Sequence, residues 1–315
     1  MPLVSAHQQE INSPSGETQH DNILKGALFA AAAFFLLAVM GACAKLLTAD
    51  HNVMEVAFYR NAVPLVLMMA YVALRRKKGA YAIGNKRLLI MRVGIGIIGL
   101  VCTFGALQQL PISDATVIFM GSNLIIPVLA FFLLKEHVGP YRWMAILIGF
   151  CGVFLVAAPT GHINPLGVAL AMAAACVHAT IQVILRRLKN ENPFAVTFYF
   201  TLGGAVFSAL FLPWVAEFPT GNDMILYLIL GCSGGLAQYC LTNAFKYAPA
   251  TIAAPFNYTG LLWATGLDIM IWHYVPGWNV FVGGAIIIAA KIFILHRERK
   301  NRQKISHISE SYGEK

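Results

Sequence analysis

The sequence predicts an all-α membrane protein: ten transmembrane helices arranged as two inverted five-helix repeats around a central cavity. Three observations predict it. Of 315 residues, 58% are hydrophobic and 12% charged, against about 25% charged in a soluble domain. Apolar stretches near the ~20 residues that cross about 30 Å of hydrocarbon recur along the chain. The chain is also faintly duplicated. Ala106 to Pro111 lines up with Ala244 to Pro249 at an offset of 138, which goes on without a gap to pair Ser113 with Thr251, Ala115 with Ala253, Leu124 with Leu262, Gly139 with Gly277 and Ile148 with Ile286. Earlier positions match at slightly longer offsets: Gly26 with Gly167 and Lys45 with Arg186 at 141, then Phe58 and Tyr59 with Phe198 and Tyr199 at 140.

A polar tail, residues 1–22, carries Glu10, Glu17 and Asp21 but no Lys or Arg. The apolar segment that follows is therefore expected to stay as a helix and not to be cleaved as a signal. The first repeat, residues 23–159, is expected to hold spans at Leu24 to Leu47, Met54 to Leu74, Leu88 to Gln108, Ser113 to Leu134 and Tyr141 to Ala158. The second, residues 160–299, is expected to hold them at Pro165 to Leu185, Pro193 to Val215, Met224 to Phe245, Thr251 to Trp272 and Trp278 to His296. Residues 300–315 form a basic and polar tail. Such tails are too poor in apolar residues to fold alone. Cys43, Cys102, Cys151, Cys176, Cys232 and Cys240 all fall inside apolar segments, where a thiol acts as a small core residue.

Charge placement orients the chain. Arg75, Arg76, Lys77, Lys78, Lys86 and Arg87 follow the second span, Lys135 and Arg142 the fourth, Arg186, Arg187 and Lys189 the sixth, Lys246 the eighth, and Arg297, Arg299, Lys300, Arg302 and Lys304 the tenth. The intervening loops hold Asp50, Glu217 and Asp223 instead. The positive-inside rule then puts both termini and the basic loops in the cytoplasm. This accounts for the net charge of +9 without a nucleic-acid partner. With five spans per repeat the second copy enters from the opposite face, so the copies are inverted. Inverted pairs enclose a midplane site in secondary transporters.

The run from Phe104 to Pro159, with Pro127 in mid-span, Glu136 at a helix end and Gly149 and Gly152 in the next span, resembles the first EamA unit of the drug/metabolite transporter superfamily. The run from Cys240 to Lys300 is similar to the second unit. The position matching Glu136 is Tyr274, where the family often carries a second Glu, so a role that needs both carboxylates does not carry over. The resemblance implies an inner-membrane carrier of small organic molecules such as amino acids, nucleosides or cofactors.

Polar residues within spans are costly and point to a cavity or a partner helix. Thr116, Met120, Asn123 and Pro127 share a helical face, with Asn123 a cavity candidate or an interhelical hydrogen-bonding group. Tyr258 takes the place of Met120 in the second copy, with Asn257 and Trp263 beside it. His178 and Gln182 share a face four residues apart, and His178 is placed to contact solute or carry a transported proton. Gln238 and Tyr239 reach mid-depth in the eighth span. Arg92 is read as snorkelling to the cytoplasmic interface. Arg60 is grouped with Glu55, Lys45 and Asp268 in an outer-side cluster that serves either as a gate or ion-coupling device or as a structural pairing. No P-loop or HExxH occurs.

The expected function is secondary or facilitative transport of a neutral or zwitterionic metabolite by alternating access, with no catalytic residue, metal or cofactor. The expected partners are the solute, lipid and, through His178, a proton, for a monomer or homodimer. The competing classes are an intramembrane enzyme and a membrane receptor or scaffold.

Overall fold

The computed structural model describes residues 15–75, 79–134, 140–157, 164–215, 219, 221–248 and 254–294. The outer parts of both polar tails, Glu136 and Glu217 lie outside the described residues. Those described form helices and no strands, as required where no water is present to satisfy open backbone groups.

The helices are α1 Ser15–Leu47, α2 Val53–Arg75, α3 Lys86–Gln109, α4 Ile112–Met120, α5 Ser122–Leu134, α6 Pro140–Ala157, α7 Pro165–Arg187, α8 Pro193–Ala209, the single turn α9 Leu212–Val215, and α10 Gly221–Tyr247. A 3₁₀ turn at Ala254–Tyr258 leads into α11 Thr259–Trp272, and α12 is Trp278–Ile294. Six segments are long and apolar enough to cross a membrane: α1 from Ile23, α2, α3, α4 with most of α5, α7 and α10. Trp143–Val156, α8 and α12 are shorter apolar helices.

Local chemistry explains the ends. Asn164 and Asn192 each precede a proline at the first helical position and accept a backbone N–H, from Leu166 at 2.9 Å and Phe194 at 3.1 Å. An Asn cap followed by Pro is a strong helix start. Asn85 caps α3 in the same way, accepting from Leu88 at 3.1 Å.

Two expected spans are interrupted. The fourth breaks at Gly121, whose N–H reaches the Ile118 carbonyl at 2.9 Å in a tightened turn. Pro127, further along the same span, has no N–H to give the Asn123 carbonyl. The ninth begins as the 3₁₀ turn and becomes α-helical at Thr259. By the offset of 138, Gly121 corresponds to Thr259, so both copies change helix at the same place.

Helices approach closely where glycine faces a neighbour. A Cβ on Gly152 of α6 would lie 2.8 Å from the Gly283 carbonyl oxygen of α12, and one on Gly283 would lie 2.6 Å from that of Gly152. Such small-residue crossings drive association where lipid removes the hydrophobic force between helices. Two buried apolar clusters occupy opposite ends of the bundle. The larger includes Leu47, Val56, Leu110, Ile118 and Tyr227, and the smaller includes Ala30, Ile184, Leu188, Val196 and Ala244.

Candidate solute cavity

Between those clusters lies a cavity of about 210 Å³. Its wall draws on α1, α2, α3, α4, α5, α7, α8, α10, the 3₁₀ turn and α11. The lining pairs across the duplication. Leu37 and Gly41 of α1 line it, as do their counterparts His178 and Gln182 of α7. Arg60 of α2 lines it with its counterpart Phe200 of α8. At offset 138, Leu100 lines it with Gln238, Leu107 with Phe245, Phe119 with Asn257 and Ser122 with Gly260.

The first-copy wall carries two arginines. Arg60 is 4% and Arg92 1% exposed, and both guanidiniums lie over the Phe200 ring, 5.0 Å and 4.3 Å from its centroid. Arg60 Nη1 donates to Asn61 Oδ1 at 2.7 Å. Arg60 Nε, Arg92 Nε and Arg92 Nη1 find no hydrogen-bond partner among the described residues. Pro64, four residues after Arg60, withholds the N–H that would meet the Arg60 carbonyl. Gly96 gives Arg92 its room, since a Cβ there would collide with the Arg92 guanidinium and with Phe200. The reading of Arg92 as an interfacial snorkel is therefore corrected: its side chain folds along α3 over Gly96 into the cavity wall.

The second copy adds His178, Gln182, Gln238 and Asn257 to the same wall. His178 Nε2 lies 3.1 Å from Thr103 Oγ1, and that hydroxyl donates to the Gly99 carbonyl at 2.6 Å. With its only proton committed, the hydroxyl accepts from His178, so Nε2 carries the ring hydrogen. The Gln238 amide nitrogen lies 3.5 Å from Thr242 Oγ1.

His178, Gln182, Gln238 and Asn257 thus come together on the cavity, and Arg60 joins them. Met120, Asn123, Tyr239, Tyr258 and Trp263 do not line it. Tyr239 is 40% exposed because it follows Gln238 by one residue, about 100° around α10, and only one of the two can face inward. Trp263 is 45% exposed and packs edge-on against Phe35 at 5.0 Å. Met120 is fully buried in the larger cluster. Asn123 is buried with neither side-chain amide atom partnered among the described residues, and the tightened turn at Gly121 separates its face from that of Thr116. The Tyr258 hydroxyl is likewise unpartnered there.

The outer-side charges separate into two groups, and Arg60 belongs to neither. Asp268, fully buried, accepts from the Ile112 and Ser113 backbone N–H groups at 3.2 and 2.8 Å and from the Ser113 hydroxyl at 2.7 Å. It caps α4 from α11. Lys45 Nζ donates to the Leu110 carbonyl at 2.8 Å beside that cap, and the Tyr274 hydroxyl lies 3.5 Å from both Asp114 oxygens. Burial, then the Asp114 and Asp268 carboxylates, push the Tyr274 hydroxyl up to about 12, so it stays a donor at neutral pH. Glu55 forms the second group with Tyr227 at 3.1 Å and His51 at 3.5 Å, and His51 also meets Asp223 at 3.5 Å. At the other end Glu191 accepts from the Gly84 and Asn85 N–H groups, both at 2.9 Å.

No group of three or more His, Cys, Asp or Glu able to hold a metal occurs among the described residues. Fold and cavity define a helical multi-pass membrane protein with an internal chamber for a small molecule. The chain belongs to the EamA-like transporter family, which it matches over residues 24–158 and 165–296. It is 27% identical over 291 residues to a pseudopaline exporter of Pseudomonas aeruginosa, covering 89% of this chain and 99% of that one. It is 29% identical to an S-adenosylmethionine uptake transporter of Rickettsia felis, covering 78% and 84%. A riboflavin transporter of Vibrio cholerae is 25% identical, covering 91% and 98%. A crystal structure of a protein 20% identical shares the fold with a TM-score of 0.65, covering 89% of this chain and 98% of that one. The chain is thus a membrane transporter of a small molecule and not an enzyme.

Proposed function

We propose that the chain carries a small organic metabolite across a bacterial-type inner membrane by alternating access, as two inverted five-helix repeats with both termini cytoplasmic. The observation that carries this reading is the paired lining. Residues equivalent under the duplication face one cavity, and the helix breaks at Gly121 and at Thr259 are equivalent too. Interrupted helices at matching places in two repeats mark the substrate site of transporters built from inverted repeats. Loops expected on one side also meet one another: Gln109 accepts from Asn164 at 2.6 Å and Gln108 donates to the Thr48 carbonyl at 2.8 Å, whereas Glu191 joins two cytoplasmic loops. The relatives are named for both export and uptake, so direction does not follow from family.

A zwitterionic solute fits this wall better than a neutral one, with its anionic end toward Arg60 and Arg92 and its polar body toward Gln182, Gln238 and Asn257. His178 is the candidate for proton coupling. The Lys45 and Asp268 group and the Glu55 group are candidates for the outer gate.

The test is flux into proteoliposomes holding the purified protein, using labelled amino acids, nucleosides and cofactors with and without a pH gradient. Saturable counterflow of one of these is expected. Its absence across the panel removes the carrier reading, and flux indifferent to the gradient removes the proton role of His178.

A further inference from the structure

We propose that Arg60 and Arg92, set against Phe200, form the subsite for an oxyanion group of the solute, a carboxylate or a phosphate; this deepens the carrier reading and rests on it. The inference starts from an energetic imbalance. An arginine buried within a spanning helix is costly unless it faces a cavity or a partner. A ring face offsets only part of that cost for a cation, and here one ring serves two. The two guanidiniums share that ring, and three of their nitrogens lack a partner among the described residues. Snorkelling is closed to them at 4% and 1% exposure. What remains is two guanidiniums, each with unmet donors, in the wall of the chamber, and a planar guanidinium is the group that carboxylates and phosphates meet bidentately.

The neighbouring residues support such a subsite. Gly96 holds the space that Arg92 occupies, and Asn61 steers one Arg60 nitrogen while leaving Nε unused. Under the duplication Arg60 corresponds to Phe200, so the charge appears in one copy where the other supplies an aromatic platform. The chamber wall is therefore uneven in charge: α2 and α3 bring the two arginines, α7 and α10 bring polar groups without a fixed charge. A bound solute is held in one orientation, its anionic group against the arginines.

The probes are citrate, L-glutamate, inorganic phosphate and glycerol 3-phosphate, with glycerol as the uncharged counterpart, titrated against full-length protein in nanodiscs while the thermal midpoint is followed. At least one oxyanion is expected to raise the midpoint saturably, and the carboxylate and phosphate arms tell which. Arg60→Gln and Arg92→Gln are each expected to weaken its apparent affinity by about tenfold or more, the scale of a lost charged hydrogen bond, with Lys at either position recovering part. Stabilisation by none of the oxyanions, or stabilisation unchanged in both Gln variants, overturns the subsite. If the Gln variants do not fold, phenylglyoxal labelling of the unaltered protein read by mass spectrometry replaces them, and the absence of oxyanion protection at Arg60 and Arg92 overturns it equally. Flux separates the two readings. Oxyanion binding through the arginines without transport of any compound sinks the carrier and leaves the site. Transport unaffected by either Gln variant sinks the site and leaves the carrier.

Discussion

Arg92 shows how far residue type and position go in a membrane chain. Its distance from a helix end suits a snorkelling side chain, and nothing in its neighbours along the sequence says otherwise. Burial against Phe200, more than a hundred residues away, decides the matter. Asp268 is a second case: an acid inside an apolar span, whose carboxylate in the fold caps α4 from α11. Asp268→Ala is expected to lower stability by about 2–4 kcal/mol, because the Ile112 and Ser113 donors are left buried and unmet. Asp268→Asn keeps one acceptor and is expected to recover part of that. Tyr274→Phe is expected to cost less than about 0.5 kcal/mol, since contacts of 3.5 Å lie at the edge of hydrogen bonding. Thermal unfolding in one detergent checks all three.

At the scale of the element, the helices and their caps are legible in the sequence. Asn-Pro before α7 and α8 and the hydrophobic lengths are local signals, and local chemistry produces those boundaries. The breaks in the fourth and ninth spans are less so. Pro127 is visible, but a tightened turn at Gly121 depends on what packs against it. Glycine roles likewise depend on the opposing surface. Gly283→Val is expected to destabilise the α6 and α12 crossing by about 1–3 kcal/mol through overpacking. Gly94, where an added Cβ would meet nothing within 4 Å, behaves oppositely: Gly94→Ala is expected to gain about 0.5–1 kcal/mol from helix propensity.

For the whole molecule, the orientation read from charge makes a direct prediction. In a cysteine-free background of intact cells, a membrane-impermeant maleimide is expected to label Asp50→Cys and not Lys189→Cys, both exposed loop positions; the reverse pattern inverts the topology. Alternating access predicts that the Glu191 bridge to Gly84 and Asn85 must open during transport. A reducible cross-link between cysteines at positions 84 and 191 is expected to stop flux and release it on reduction, whereas unimpaired flux argues for a rigid contact. Polar residues cluster along the second copy, where His178, Gln182, Gln238 and Asn257 fall, which points to recognition mainly there. The fold adds the arginines of the first copy to the same wall.

Membrane class, the positions of the apolar spans, the duplication and the family resemblance are all readable from the chain alone, because hydropathy, capping residues and charge asymmetry act within one segment or between adjacent ones. Which polar side chains share a chamber is settled at the tertiary level. Facing depends on helix rotation and on partners far along the chain: one residue separates Gln238 inside from Tyr239 outside, and Gly96 and Phe200 together turn Arg92 from the interface into the cavity wall.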